Sequence, residues 1–267
     1  MTYPNKPTAD NPPVLCWRDA GIAHIRFNRP ASLNAIDVPL ALAFHEGCRR
    51  IADDPLARVV VLSGEGRAFM AGGDLAAMAV DPQGVARQLI ASMHGGIEIL
   101  AGLPAPVIAS LHGAVAGGGL GLALACDLAI AAEGTRLNLA YPKIGTSSDC
   151  ATSWALPRLV GLRKALEIAL LSEPIEAQEA LRLGLLNRVV PADRLQSETL
   201  ALARQLADGP REALARLKRL IRDAGQRDLP AQLDAEAESC VACAGTADFA
   251  EGVAAFLQKR APRFGPH

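Results

Sequence analysis

The spacing of apolar residues divides the chain into an α/β part and a helical C-terminal part. Short alternating or continuous apolar runs predict β-strands. These runs lie at 21–27, 58–64, 106–113, 127–133 and 187–191. Apolar residues that recur with the helical period predict helices at 38–54, 82–100, 210–224 and 248–264, the first capped by Asp37. Because the connections between strands are long, we expect mainly parallel pairing in one α/β domain.

Glycine clusters interrupt this pattern twice, each time after a predicted strand. HGAVAGGGLGLALACD spans 112–127, and EGRAFMAGGDLAAM spans 65–78. A glycine turn that opens a helix leaves backbone N–H groups unpaired, and it lets a ligand approach without meeting a Cβ atom. A close helix crossing would also use small residues, and the first segment alone favours neither explanation. Two such turns in one core favour paired donors around one oxygen, which is an oxyanion hole.

Composition narrows the classes of partner. Half of the 267 residues are apolar and the formal net charge is −1, so charge gives no reason to expect a nucleic-acid or membrane-surface partner. Six cysteines are too few for a disulfide scaffold, and CVAC at 240–243 lacks the second pair of a zinc site. Residues 1–13 resemble a disordered tail and not a signal peptide, and no apolar run is long enough to span a membrane. We therefore expect a cytoplasmic protein.

Several segments together resemble the crotonase superfamily, the enoyl-CoA hydratase/isomerase group. They occur in family order from about 20 to 264 and include FNRPASLNAID, VVVLSGEGRAFMAGGDL, PVIASLHGAVAGGGLGLALACDLAIAAE and FAEGVAAFLQKRAPRF. The resemblance implies an α/β spiral of repeated β-β-α units over 14–192, which holds an acyl-CoA site. It also implies a helical oligomerisation region over 193–267, in a homotrimer or a hexamer made of two trimers. Coenzyme A is then part of the thioester substrate, and no cofactor or metal is bound permanently.

The same resemblance assigns roles to individual residues. It places the backbone N–H donors that polarise the thioester carbonyl and stabilise an enolate at Gly73 and Gly118. These positions coincide with the two glycine turns. The residues that it implies for coenzyme A binding are Arg29, Ala35, Ala71, Asp74 and Lys259, with Lys259 reaching a neighbouring subunit.

The expected reaction depends on the carboxylates near these glycines. A hydratase of the family uses two glutamates, whose positions are occupied here by Gly121 and Tyr141. Ordinary hydration is therefore not expected. Asp149 resembles the aspartate that several family isomerases carry, and moving a double bond requires one base that removes a proton and returns it elsewhere. We expect an enoyl-CoA isomerase that uses Asp149, although this residue could instead cap a helix beginning at Cys150.

Two other functions remain open from the sequence. His94 lies beside the apolar stripe of the helix at 82–100, and with Tyr141 and Asp149 it resembles the 4-chlorobenzoyl-CoA dehalogenase group. In a dehalogenase or thioesterase of that kind, the aspartate acts as nucleophile and the histidine as base. A protein without both glutamates could also bind acyl-CoA without catalysis. The direction of the Asp149 carboxylate distinguishes the last alternative, because a catalytic base has to face the two amides.

Overall fold

The computed structural model describes residues 12–79 and 81–265, which form two sheets surrounded by helices. The strands are β1 (Val14–Asp19), β2 (Ile22–Phe27), β3 (Val59–Gly64), β4 (Val107–Leu111), β5 (Ala114–Ala116), β6 (Leu128–Ala132), β7 (Arg136–Asn138), β8 (Ile175–Glu176) and β9 (Arg188–Val190). The helices are α1 (Val38–Ala52), α2 (Leu75–Met78), α3 (Pro82–Gly102), α4 (Gly118–Ala125), α5 (Thr152–Val160), α6 (Leu162–Leu171), α7 (Ala177–Arg182), α8 (Leu195–Ala207), α9 (Arg211–Asp223), α10 (Leu229–Ala244) and α11 (Ala247–Leu257).

The larger sheet has the order β1-β2-β3-β4-β6-β9, and the smaller sheet has the order β5-β7-β8. The pairs β2-β3, β3-β4, β4-β6 and β6-β9 are parallel, as the long connections predict. β1 was not predicted; it forms an antiparallel hairpin with β2 through a turn in which Ala20 and Gly21 both have positive φ. The α/β class predicted from the sequence is confirmed.

The main core lies between the larger sheet and helices α1, α3 and α4. Asp37 caps α1 as predicted, since its Oδ1 accepts the Leu40 N–H at 2.9 Å. A Cβ atom on Gly96 of α3 would overlap the ring of Phe44 in α1, so this glycine permits close packing of the two helices. This packing fixes the face of α3 that lines the site described below.

Helix α8 covers the opposite face of the larger sheet. Its residues Leu202 and Ala203 pack in a second core cluster with Ile108 of β4, and Ser110 and Thr199 share a hydrogen bond of 2.9 Å. The oligomerisation region predicted from the sequence begins at residue 193. Its first helix, α8, packs against the larger sheet of the same chain. Helices α9 to α11 instead carry many exposed apolar side chains.

A buried ion cluster fixes α9 to the core. Asp127 lies between β4 and β6, and its carboxylate is 2.9 Å from Lys218 Nζ and 2.6 Å from an Arg222 nitrogen. The Lys218 side chain is only 7% exposed, and its ammonium also donates to the carbonyl of Ala105 at 2.9 Å. Because every group in this cluster is paired, the burial of these charges is compensated.

Of the predicted tail, residues 1–11 lie outside the described part of the chain. Among the described residues, no single helix is long and apolar enough to cross a bilayer. Helices α10 and α11 reach the necessary length and apolarity only when they are taken together, and their axes are bent by 77° relative to each other.

The free energy of unfolding is expected to fall as the pH is lowered from 6.5 to 4. His24 is 8% exposed and stacks on Trp17 with ring centroids 4.5 Å apart. Burial, and then the nearby Arg26, lower the pKa of His24 from 6.5 to about 4. In this window the unfolded chain binds a proton that the folded protein excludes, so stability is lost as pH falls. The loss contributed by His24 is about 3 kcal/mol at pH 4.

Urea unfolding at several pH values would measure this effect. The variant His24→Phe should lose this part of the pH dependence, whereas His45→Gln, on the half-buried surface of α1, should retain it. Equal pH dependence in wild type and His24→Phe would contradict the assignment.

Candidate active site

The two glycine-rich segments predicted from the sequence lie against each other. Met70 pairs with the β5 segment, because its N–H donates to Ala114 O at 3.1 Å and its carbonyl accepts the Ala116 N–H at 2.9 Å. The two segments stay close together beyond this bridge, at Gly72 and Gly117, which have φ of +97° and +51°. A Cβ atom on Gly117 would lie 3.5 Å from the Cα of Gly72. The positive φ values therefore favour glycine at both positions, and a Cβ atom on Gly72 would also approach the carbonyl oxygen of Ala116 to 3.3 Å.

The residues that follow these two glycines offer free amides. Gly73 lies in a short parallel bridge with Ile36, in which Ile36 N donates to Gly72 O at 2.7 Å and Asp74 N donates to Ile36 O at 2.9 Å. Gly118 is the first residue of α4, where helix N–H groups have no partner within the helix. Within residues 12–79 and 81–265, neither the Gly73 nor the Gly118 N–H donates a hydrogen bond. Both are available to an acceptor.

Gly73 and Gly118 open into one cavity of about 220 Å³. One wall, from α2 and α3, is apolar, and the opposite wall, from the segment between β7 and α5, is more polar. The apolar wall consists of Leu75, Met78, Ala86, Leu89, Ile90 and Met93. The opposite wall consists of Ala140, Tyr141, Ile144, Thr146, Ser147, Ser148, Asp149 and Cys150. The cavity can hold an apolar group whose polar end meets the two amides.

Asp149 faces this cavity and lies beside Gly118. A Cβ atom placed on Gly118 would be 3.5 Å from Asp149 Oδ1. The same oxygen accepts a hydrogen bond from the Tyr141 hydroxyl. Burial, and next the adjacent carboxylate, raise the pKa of Tyr141 well above its usual range, so the phenol stays a donor at neutral pH.

The alternative role of Asp149 as a helix cap is wrong. Helix α5 begins at Thr152 and not at Cys150, and the capping position is occupied by Ala151, which has a left-handed backbone. Only the backbone carbonyl of Asp149 takes part there, accepting the Thr152 N–H at 3.0 Å. The carboxylate is left to Tyr141 and the cavity.

His94 reaches the backbone beside Asp149, but it does not line the cavity. Its Nε2 accepts the N–H of Cys150 at 3.1 Å. A neutral imidazole that accepts at Nε2 carries its proton on Nδ1, so this arrangement specifies the tautomer. Cys150 has a φ of +49°, an uncommon conformation for a residue other than glycine. The histidine therefore holds the turn that carries Asp149.

In this chain there is no room for a side chain at residue 121, where a hydratase of the family carries its first glutamate. A Cβ atom on Gly121 would overlap the carbonyl oxygen of Cys150 and the hydroxyl of Thr152, and it would lie 2.9 Å from the Cβ of Cys150. The segment that carries Asp149 thus occupies the space that a longer side chain at residue 121 would need.

The residues predicted for coenzyme A binding do not all meet at the cavity. Ala71 lines it, whereas Lys259 is an exposed residue beyond the end of α11. The Arg29 guanidinium donates to the carbonyl of Ala35 in its own loop and contacts two carboxylates, those of Asp37 and Asp74. Among the described residues, no group of three or more His, Cys, Asp or Glu side chains could hold a metal ion.

Sequence reasoning missed Asn34, which joins the first loop to the glycine segment. Asn34 is fully buried with a φ of +56°. Its Nδ2 donates to Ala68 O at 2.8 Å and to Phe69 O at 3.1 Å, while its Oδ1 accepts the Arg29 N–H at 2.8 Å. Asparagine tolerates left-handed backbone better than most residues, and an asparagine between the apolar residues Leu33 and Ala35 was the signal available.

Comparisons with known proteins identify the family to which this chain belongs. The model of the enoyl-CoA hydratase/isomerase family matches residues 18–267. A 1,2-epoxyphenylacetyl-CoA isomerase of Escherichia coli is 36% identical over 255 residues, covering 94% of this chain and 97% of that protein. A 4-chlorobenzoyl coenzyme A dehalogenase-2 of an Arthrobacter species is 35% identical over 243 residues, covering 90% and 88%. The crystal structure of an enoyl-CoA hydratase from a Polaromonas species matches with a TM-score of 0.88 at 34% identity, covering 94% of this chain and 99% of that one. The resemblance predicted from the sequence is confirmed, and the chain belongs to the enoyl-CoA hydratase/isomerase family of the crotonase superfamily.

Proposed function

We propose that this protein is an enoyl-CoA isomerase that forms a thioester enolate and uses Asp149 to move the proton. The observation that carries the proposal is the position of the Asp149 carboxylate, next to Gly118 and in the same cavity as the two free amides. A base and an oxyanion hole that face one small volume are what α-proton transfer next to a thioester requires.

The reaction can be written on these groups. The thioester oxygen of a 3-enoyl-CoA accepts the N–H groups of Gly73 and Gly118. Asp149 removes a proton from the α-carbon, and the electron pair moves onto the carbonyl oxygen to give a dienolate. The protonated Asp149 then returns the proton to the γ-carbon, and the double bond moves from the β,γ to the α,β position. Tyr141 donates to the carboxylate and keeps it pointed at the substrate.

Other reactions receive less support from the same site. Hydration by paired glutamates has no room at Gly121. In a dehalogenase, His94 would act as base, but its Nε2 is engaged by the Cys150 amide. A non-catalytic acyl-CoA-binding protein would not need a carboxylate beside the free amides.

Incubation in heavy water with a panel of thioesters tests the proposal. Trans-3-hexenoyl-CoA should give 2-hexenoyl-CoA, with deuterium entering the α- and γ-carbons, as followed by NMR. Parallel reactions would follow chloride release from 4-chlorobenzoyl-CoA and free thiol from all thioesters. Chloride or thiol release without double-bond migration would contradict the isomerase assignment, and so would tight binding of the panel without exchange.

We also propose that the chain assembles as a homotrimer or as two stacked trimers. Helices α9 to α11 carry apolar side chains that a monomer would leave in water, including Ile221, Val241 and Phe256, which are 74%, 75% and 83% exposed. Light scattering on a size-exclusion column should give three or six times the chain mass of 27.9 kDa. A mass equal to that of one chain at micromolar concentration would contradict the assembly.

A further inference from the structure

We propose that Arg29 is a positioning residue of the oxyanion hole, fixing the backbone of Gly73 through Asp74, and not a ligand of the coenzyme A phosphates. The inference rests on the proposed function, because it concerns the amide that would bind the thioester oxygen. It reassigns a residue for which the family resemblance implied phosphate binding.

The Arg29 guanidinium is already occupied by groups of this chain. Nη2 of Arg29 is 3.0 Å from an oxygen of Asp37 and 3.3 Å from an oxygen of Asp74, and Nη1 donates to the carbonyl of Ala35. The Arg29 side chain is 23% exposed. Two carboxylates around one guanidinium leave a local charge of −1, which repels a phosphate.

The two carboxylates that contact Arg29 are themselves held in place. Asp37 accepts the Leu40 N–H through Oδ1 at 2.9 Å and meets Arg29 through Oδ2. Asp74 accepts the Ala77 N–H through Oδ1 at 3.2 Å and also meets Arg29 through Oδ2. Each carboxylate caps one helix with one oxygen and binds the shared arginine with the other. Arg29 therefore ties together the first turns of α1 and α2.

The contacts of Arg29 with Asp37 and Asp74 lie next to the free amide of Gly73. Asp74 directly follows Gly73, and Asp37 directly follows Ile36, which forms the bridge with Gly73. The two segments thus run side by side, held by backbone bonds on one side and by Arg29 on the other. Without Arg29, two neighbouring carboxylates repel each other across this bridge. The Gly73 N–H would then move, and a shift of about 1 Å in a reacting geometry can cost about 100-fold in rate.

A chromophoric thioester reports the carbonyl polarisation without requiring turnover. We would bind 2,4-hexadienoyl-CoA and the matching hexadienoyl-pantetheine thioester, which lacks the nucleotide phosphates. Wild type should shift the ultraviolet absorption of both to longer wavelength, because two N–H donors polarise the conjugated carbonyl. The variants are Arg29→Met and the conservative Arg29→Lys, with Arg204→Met on the exposed side of α8 as the matched control.

In Arg29→Met we expect the absorption shift to fall with both thioesters, and the kcat for 3-hexenoyl-CoA and its pantetheine analogue to fall equally, by about 10- to 100-fold. The ratio of their KM values should stay at the wild-type value. Arg29→Lys keeps the positive charge but lacks the planar guanidinium that reaches both carboxylates. This variant should therefore fold as wild type does and give an absorption shift between those of wild type and Arg29→Met. Arg204→Met should match wild type.

The outcomes separate this inference from the proposed function. If the absorption shift persists in both Arg29 variants while Kd and KM rise only for the coenzyme A thioesters, then Arg29 binds phosphate and the inference is wrong. If wild type itself shows no shift, the oxyanion hole and the proposed function are wrong as well.

Discussion

Asp149→Asn is expected to lower the rate of α-proton exchange by about 1,000-fold, with little change in the affinity for thioesters. General acid–base groups contribute about 100- to 10,000-fold, and the Asp149 carboxylate lies beside Gly118. The Cys150 thiol is also next to Gly118, but burial raises its pKa, so it stays protonated and is a poor base. Asparagine has nearly the same size and still accepts the Tyr141 hydroxyl through its amide oxygen. The geometry of the cavity should therefore survive while the base is lost.

The measurement is single-turnover deuterium exchange of 3-hexenoyl-CoA, with the Kd determined separately. Asp193→Asn, on the exposed turn before α8, serves as the control and should exchange at the wild-type rate. Tyr141→Phe should lie between, at about a 10-fold loss, because the carboxylate remains but loses its aligning donor. Unchanged exchange in Asp149→Asn would exclude this residue as the base.

Gly121→Glu is expected to destabilise the protein by about 4 kcal/mol and to confer no hydratase activity. The new side chain has to displace the Cys150–Thr152 backbone, and overpacking of this kind costs about 1–3 kcal/mol. Burial of an unpaired carboxylate adds a further penalty of about the same size. Since that backbone carries Asp149, the substitution should also reduce isomerase activity.

Urea unfolding and hydration of crotonyl-CoA would be measured together on this variant. Gly102→Glu provides the matched control, because no atom lies within 4 Å of a Cβ atom at that position. The control should unfold within about 0.5 kcal/mol of wild type. A Gly121→Glu variant with native stability and measurable hydration would show that the turn can move aside, contrary to the packing described.

Local signals in the sequence explain which parts of the fold could be predicted. The Asp37 cap, the strands β2 to β4 and the paired glycine turns are each determined by residues close together in the chain. β1 escaped prediction because its residues alternate weakly, and its pairing with β2 depends on the turn at Ala20 and Gly21. The final helix ends at Leu257, several residues before the predicted 264, since the segment before Pro262 does not continue it.

The candidate site likewise contains residues that could be predicted from the sequence and contacts that could not. Gly73, Gly118 and Asp149 could be proposed from the sequence, because they lie in or near short motifs that resemble those of the crotonase superfamily. Arg29 contacts Asp74, which lies 45 positions further along the chain, and His94 accepts the N–H of Cys150, which lies 56 positions further along. Such pairs depend on how loops pack, which spacing along the chain does not encode. For that reason the sequence did not indicate the contacts on which the positioning role proposed for Arg29 and the contact of His94 with the Cys150 turn depend.

The proposed carbonyl-binding donors are main-chain groups, and this has a practical consequence for finding the natural substrate. A substitution at Asp149 leaves both N–H groups in place, so a protein that has lost its base still retains its means of holding the ester. Immobilised Asp149→Asn protein, passed over a small-molecule extract of the source cells, should enrich the physiological thioester in a form that mass spectrometry can identify. The thioester bound by the inactive variant would then identify the acyl group on which the active enzyme acts.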